Sequence, residues 1–320
     1  MTFFILQKVG ELLWPLQSER RIFSFYKMLI QRIDPILNSF LFKNMLKWLK
    51  KRYNRKVSES EEFMIIRSEK DQAGMLAVSQ ACAIARQAML EAIEVGITTL
   101  ELDEIARKVL KEHDALSAPE HFYDFPGCTC ISVNEVVAHG IPSGYQLQEG
   151  DKVNVDVSAI LDGYCGDTGA TVFVGETTKR RAKLLRASED ALRAGILEAR
   201  AGNQLNRIGG AIFQEARKHG FTVIKNLCGH GIGKSLHEEP NEIMNYLERT
   251  QKYRLPEGVI LAIETFISES DEVVYEGSDG WTLTTQKKSW VTQFEHTIQV
   301  TKEGPKILTA LPYGLQYSMP

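Results

Sequence analysis

The sequence predicts an α+β protein built from two related halves that meet around one site. Three observations predict it. Residues 153–173, VNVDVSAILDGYCGDTGATVF, read as a β-hairpin. Val153, Val155 and Val157 alternate with Asn154, Asp156 and Ser158, the period of a strand with one apolar and one wet face. A long Ala-rich helix, a glycine break and a shorter helix occur twice, with the breaks at Gly96 and Gly202, and each long helix carries Leu-Glu-Ala. The rest, from Phe221 onward, is mostly strand and loop. Chance similarity between two Ala-rich helices competes with a true duplication.

The N-terminal residues 1–60 stand apart as a domain of their own. Their net charge is +8, against −11 for residues 61–320. Met45, Leu46 and Leu49 recur at helical spacing among Lys43, Lys47, Lys50, Lys51 and Arg52. Such a basic amphipathic segment suits an anionic membrane surface or ribosomal RNA. It equally suits a helical appendage with a solvated basic face. The pattern carries no signal peptide, and no run approaches the ~20 apolar residues of a membrane span. The overall charge of −3 excludes a general polyanion binder.

From Glu69 the composition turns helical, with Gly96 as a C-cap glycine. Thr98 and Glu101 form a capping box for a second helix reaching His113. Strands follow over 128–174. The second helical pair covers 179–201 and 204–219. Residues 259–263 form a strand apolar on both faces, and Glu264 ends it. Over 290–300, Gln293, Glu295, Thr297 and Gln299 share one face of a strand. The five cysteines are odd in number and make no disulfide or zinc pattern, which fits free thiols in a reducing cytoplasm.

The chemistry starts in the hairpin. A loop centred between Leu161 and Asp162 sets Asp156 opposite Asp167. Facing Cβ atoms lie roughly 4.5–5.5 Å apart, and like charges there repel unless a cation intervenes. Alone, the two aspartates read as solvated residues. Further residues change that balance. His230 sits between Gly229 and Gly231, which allow close backbone approach. Glu264 ends an apolar strand, where a carboxylate is costly unless paired or metal-bound. Glu295 lies on a polar strand face, and His139 and His237 stand beside turn residues. Two Asp, two Glu and one His suit a dinuclear centre of Co, Mn, Fe or Zn, the machinery of metal-assisted amide hydrolysis.

At these residues the chain resembles the type I methionine aminopeptidases. The resemblance rests on NEVVAHGIP (134–142), LQEGDKVNVDV (147–157), GYCGDTG (163–169), GHGIGKSLHEEP (229–240), the Glu264 strand and QFEHT (293–297), in order, from about residue 69 to 312. It implies the pita-bread fold, a pseudo-two-fold antiparallel sheet flanked by two helix pairs, over residues 61–320. It implies two divalent metal ions: Asp156 on one, Asp167 and Glu295 bridging, His230 and Glu264 completing the other. A bridging hydroxide would attack the first peptide bond of nascent polypeptide N-termini whose second residue is small. Glu264 would shuttle the proton, His237 would stabilise the oxyanion, and His139 would hydrogen-bond the scissile amide. The methionine pocket would be Phe122, Phe125, Cys130, Leu236 and Trp281. Leu236 stands where an aromatic residue is usual, Phe122 where Tyr is frequent, and Pro119 where a small residue is expected. A cytoplasmic monomer is the implied form. Proline-directed relatives share the five ligands but carry a large preceding domain that 60 residues cannot supply. Metal-free binding modules of this fold lose ligands that are all present here.

Overall fold

The structure is a computed structural model that describes residues 64–311. The expectations for residues 1–60 therefore lie outside the described residues. Helices α1 (Glu69–Ala92) and α2 (Thr99–Glu112) come first. Ser68 caps α1 by accepting from Asp71 N–H, and Thr98 and Glu101 close the expected capping box on α2. Gly96 is not the cap of α1. The helix ends at Ala92 with Ile93 as its cap, and Gly96, at φ 97°, turns the chain four residues later.

A short strand β1 (Leu116–Ser117) leads into a one-and-a-half-turn helix α3 (Ala118–Tyr123) that the sequence reading missed. Strands β2 (Cys130–Val133), β3 (Val136–Ala138), β4 (Lys152–Leu161) and β5 (Tyr164–Phe173) complete the first half. The second half repeats the plan with α4 (Lys179–Glu198), α5 (Asn206–Lys218), β6 (Thr222–Val223), β7 (Cys228–Gly231), β8 (Glu238–Met244) and β9 (Ile260–Ser268). Then come β10 (Val274–Glu276), β11 (Leu283–Thr285), β12 (Val291–Gln299) and β13 (Lys306–Ile307). Glu264 lies in the middle of β9 rather than at a strand end, because Thr265–Ser268 continue the pairing with β12.

Two apolar clusters make up the bulk of the core, the first mostly under the first helix pair and the second under the second. In the first, Val153, Val155 and Val157 of β4 meet Met75, Val78 and Met89 of α1. In the second, Leu261, Ile263 and Ile267 of β9 meet Leu184, Ile208 and Ile212. The period-2 strand pattern thus sends alternate residues to the helices and the rest to the opposite face. That face is not wet. Asn154, Ser158, Asp167, Gln293, Glu295 and Thr297 are all buried. Polar residues buried on a strand face need partners, and here they line an interior site.

The two halves join along β5 and β12 through hydroxyl groups. Asp167 N–H donates to Thr297 Oγ1 (3.0 Å), which donates back to Asp167 O (2.7 Å). Thr171 repeats the exchange with Gln293 N–H (3.0 Å) and O (2.7 Å), and Thr168 Oγ1 donates to Glu295 O (2.9 Å). The seam continues one sheet into the next without a backbone ladder. Among the described residues, no helix is long and apolar enough to cross a membrane. All five cysteines are free.

Candidate metal centre

The hairpin register differs from the expected one by two residues. Asp162 (φ 51°) and Gly163 (φ 75°) form a two-residue turn, so Leu161 pairs with Tyr164. Two successive positive φ values are what a tight hairpin turn needs, and Asp-Gly supplies them. Asp167 therefore faces Ser158, and Asp156 faces Gly169. The aspartates are diagonal neighbours, not a facing pair. A shift of two residues preserves the face, so they still point to the same side.

Strand pairing lines the other candidates up with them. Glu295 of β12 faces Glu264 of β9, and His230 of β7 faces Ala262, two residues from Glu264 on the same side. Across both sheets the order is Cys130, Asp156, Asp167, Glu295, Glu264, His230. The glycines beside His230 permit this approach. A Cβ on Gly229 would lie 2.4 Å from Ala262 O, and one on Gly231 2.0 Å from Glu239 O.

Asp167, His230 and Glu295 each offer one ligand atom, and these atoms all lie within 4.8 Å of one another. His230 Nε2 is 3.9 Å from Asp167 Oδ2. Asp156 and Glu264 flank this trio. Burial raises the pKa of all four carboxyls, and their mutual repulsion raises Asp167, Glu264 and Glu295 further; Asp156 reaches about 6. Burial pushes His230 down to about 4. Asp156 Oδ1, Asp167 Oδ1 and Glu295 Oε1 are buried without a hydrogen-bond donor. Unsatisfied carboxylate oxygens beside a neutral imidazole are the donor set of divalent cations, so the residues fit a metal centre.

Groups that sequence reasoning did not single out surround this cluster. Gln293 Nε2 donates to Glu295 Oε2 (3.1 Å), and its Oε1 accepts from Asn154 (2.7 Å). Arg86 reaches from α1 to the Thr168 hydroxyl, beneath Glu295. Burial lowers its pKa only to about 10, so it stays charged. Gln293 was visible as a same-face neighbour of Glu295. Arg86 gave no signal, because its partner is far away in sequence.

The expected pocket residues fall into two groups. Phe125 packs edge-on against Trp281, with centroids 5.1 Å apart. Phe122 packs on the cluster that contains buried Leu236. Cys130 is buried and faces Asp156. Pro119 is the second residue of α3 and is buried. His139 follows β3 in a left-handed conformation (φ 54°). The His237 and His230 rings lie 4.2 Å apart, centroid to centroid.

The pocket loop hangs from α2. Buried Asp103 accepts from Cys128 N–H (3.0 Å), Thr129 N–H (2.8 Å) and Thr129 Oγ1 (2.7 Å). Arg107 grips Glu120 of α3 through both carboxylate oxygens (2.9 and 3.0 Å). Asp103→Ala is expected to cost roughly 3 kcal/mol, since it strands three donors, two of them buried backbone amides. Urea titration checks this, and an unchanged midpoint would contradict it.

A family model described as "Metallopeptidase family M24" matches residues 73–302. A Bacillus subtilis protein named methionine aminopeptidase 2 is 48% identical over 249 residues, 78% of this chain and 100% of the relative. The crystal structure of methionine aminopeptidase from Rickettsia prowazekii superposes with a TM-score of 0.74 at 37% identity, covering 78% of this chain and 100% of that one. Prolidase from Pyrococcus furiosus shares the fold (TM-score 0.62) at 20% identity, covering 78% of this chain and 66% of that one. With its pita-bread fold and a buried acid–imidazole cluster built from both halves, the chain belongs to metallopeptidase family M24.

Proposed function

We propose that the chain is an aminopeptidase that removes N-terminal methionine from nascent polypeptides when the second residue is small. The observation that carries this reading is the single line of Asp156, Asp167, Glu295, Glu264 and His230 across the joined sheets. The likeness to methionine aminopeptidases over most of the chain supports it. The same five residues would hold two divalent ions of Co, Mn, Fe or Zn. Bound there, the ions supply Lewis acidity, which polarises a carbonyl and makes water a nucleophile near neutral pH.

The chain's own groups do the rest. Glu264 accepts the proton of the attacking water and returns it to the departing amine. His237 donates a hydrogen bond to the carbonyl oxygen as negative charge grows there. His139 hydrogen-bonds the scissile amide. Phe122, Phe125, Cys130, Leu236 and Trp281 form an apolar pocket for the methionine side chain, and Pro119 narrows the space for the second residue. The basic segment 1–60 would hold the enzyme at the ribosome or at an anionic membrane. Salt-sensitive ribosome co-sedimentation and liposome flotation separate those two.

Methionine release from Met-Ala-Ser and Met-Lys-Ser, with Mn or Co added, tests the assignment. Cleavage of Met-Ala-Ser alone is expected. Chelation and Asp167→Ala should abolish it, and Glu264→Ala should lower it by roughly 10²–10⁴-fold. Release that survives both substitutions would refute the site.

A further inference from the structure

Tyr123 has no role in the chemistry described so far, yet it is built into the site. It is the last residue of α3, and Asp124 stops the helix there in the left-handed region (φ 57°). The bidentate Arg107–Glu120 pair fixes α3 to α2, and Ser117 caps its first turn. Phe122 packs beside the Tyr123 ring, at 6.2 Å between centroids. So held, the Tyr123 hydroxyl meets His237 Nδ1 at 2.5 Å, with the two rings edge to face.

A neutral imidazole carries one N–H and one acceptor nitrogen. The group bonded to one nitrogen therefore decides what the other can do. A tyrosine hydroxyl keeps its proton at neutral pH and is able to donate. If it donates to Nδ1, the ring proton sits on Nε2, which is then a donor. If Nδ1 instead carried the proton, Nε2 would present a lone pair to an oxygen gaining negative charge, and the contact would be repulsive.

We propose that Tyr123 is a positioning residue: its hydroxyl donates to His237 Nδ1 and holds the imidazole in the Nε2–H form that can bind the oxyanion. The inference rests on the role proposed above for His237. It adds the group that sets the tautomer and orientation of that ring.

Tyr123→Phe keeps the ring and removes only the hydroxyl, so α3 and its packing should survive. With Met-Ala-Ser the variant is expected to lose roughly 10–100-fold in kcat, the scale on which outer partners of working imidazoles act. KM should stay within about twofold. In a His237→Ala background the same substitution should change nothing further, because its effect runs through that ring. Nitrogen-15 spectra of labelled imidazoles should show His237 as the Nε2–H form in the wild type and a mixture in Tyr123→Phe. An unchanged His237 spectrum, or an equal loss of kcat in both backgrounds, would overturn the proposal. If the metal-loaded wild type releases no methionine, the proposed function fails, and the spectra alone still decide whether Tyr123 sets the tautomer.

Discussion

Replacing Asp167 with asparagine is expected to remove metal retention and, in the same molecule, to stabilise the metal-free fold. The side chain is buried, its Oδ1 has no donor, and Glu295 and Asp156 add their repulsion to its burial. Without metal, burial and the neighbouring carboxyls make a charge on it costly, and that cost grows as pH rises above the unfolded carboxyl range. Asparagine has nearly the same shape and no charge. Relief of such a charge registers at about 1–3 kcal/mol. Asparagine is also a weaker ligand for a divalent cation than an aspartate, so metal content after dialysis should fall. Activity should drop by more than the ~10–100-fold typical of outer-shell changes. Elemental analysis and urea unfolding at pH 8 in chelator measure both effects. A variant that keeps the wild-type metal content would refute the proposal that Asp167 is a metal ligand. One that is less stable than metal-free wild type would refute the repulsion argument.

The second large effect is in the pH dependence of stability. In the metal-free protein, Asp156 titrates near 6, and Asp167, Glu264 and Glu295 are raised well above the ordinary range. Unfolded, these groups lose their protons near pH 4. Between the two ranges the folded chain binds more protons, so its stability falls as pH rises. His230, lowered to about 4, acts oppositely, but only below its unfolded value of about 6.5, because above that it is neutral in both states. Lys152 is fully buried, donates to Val136 O and Val291 O, and is lowered by burial to about 7. Above pH 7 its contribution rises with pH. It occurs equally with and without metal, so the difference between the two forms isolates the carboxylates. Thermal melts from pH 6.5 to 8, with metal and with chelator, should therefore diverge, the chelated form losing ground as pH rises. Parallel curves would show that the carboxylates are not crowded without a cation.

Much of this was legible in the sequence because period-2 and helical patterns are local. The capping box at Thr98, the two helix pairs and the face of Glu295 are all read within one or two turns of chain. Of the five candidate ligands, Glu264 at the end of an apolar run and His230 between glycines stand out locally, whereas Asp156, Asp167 and Glu295 read as ordinary polar-face residues until the family motifs join them. The hairpin register was missed because the turn takes two residues, Asp162 and Gly163, and a one-residue error in placing its centre shifts every facing pair by two. The polar faces were read as wet because alternation alone does not say whether water or a second polar group lies opposite. Arg86 and Tyr123 were invisible for a different reason. Their meaning lies in partners more than eighty residues away, as with Thr168 for Arg86 and His237 for Tyr123.

The hydroxyl seam has a consequence for how the chain is made. β5 is an outer strand of the first half until β12 reaches it, and about 120 residues separate them in sequence. At a synthesis rate of 5–20 residues per second, that edge waits on the order of 10 s. An unpaired edge recruits other strands, a hazard for any nascent chain. Here the middle of the edge, Gly166–Thr171, holds two glycines, two threonines and Asp167 and lacks the apolar bulk that drives sheet aggregation. Asp167, whose charge crowds the mature centre, thus also places a carboxylate in the one strand edge that the half-made protein leaves waiting.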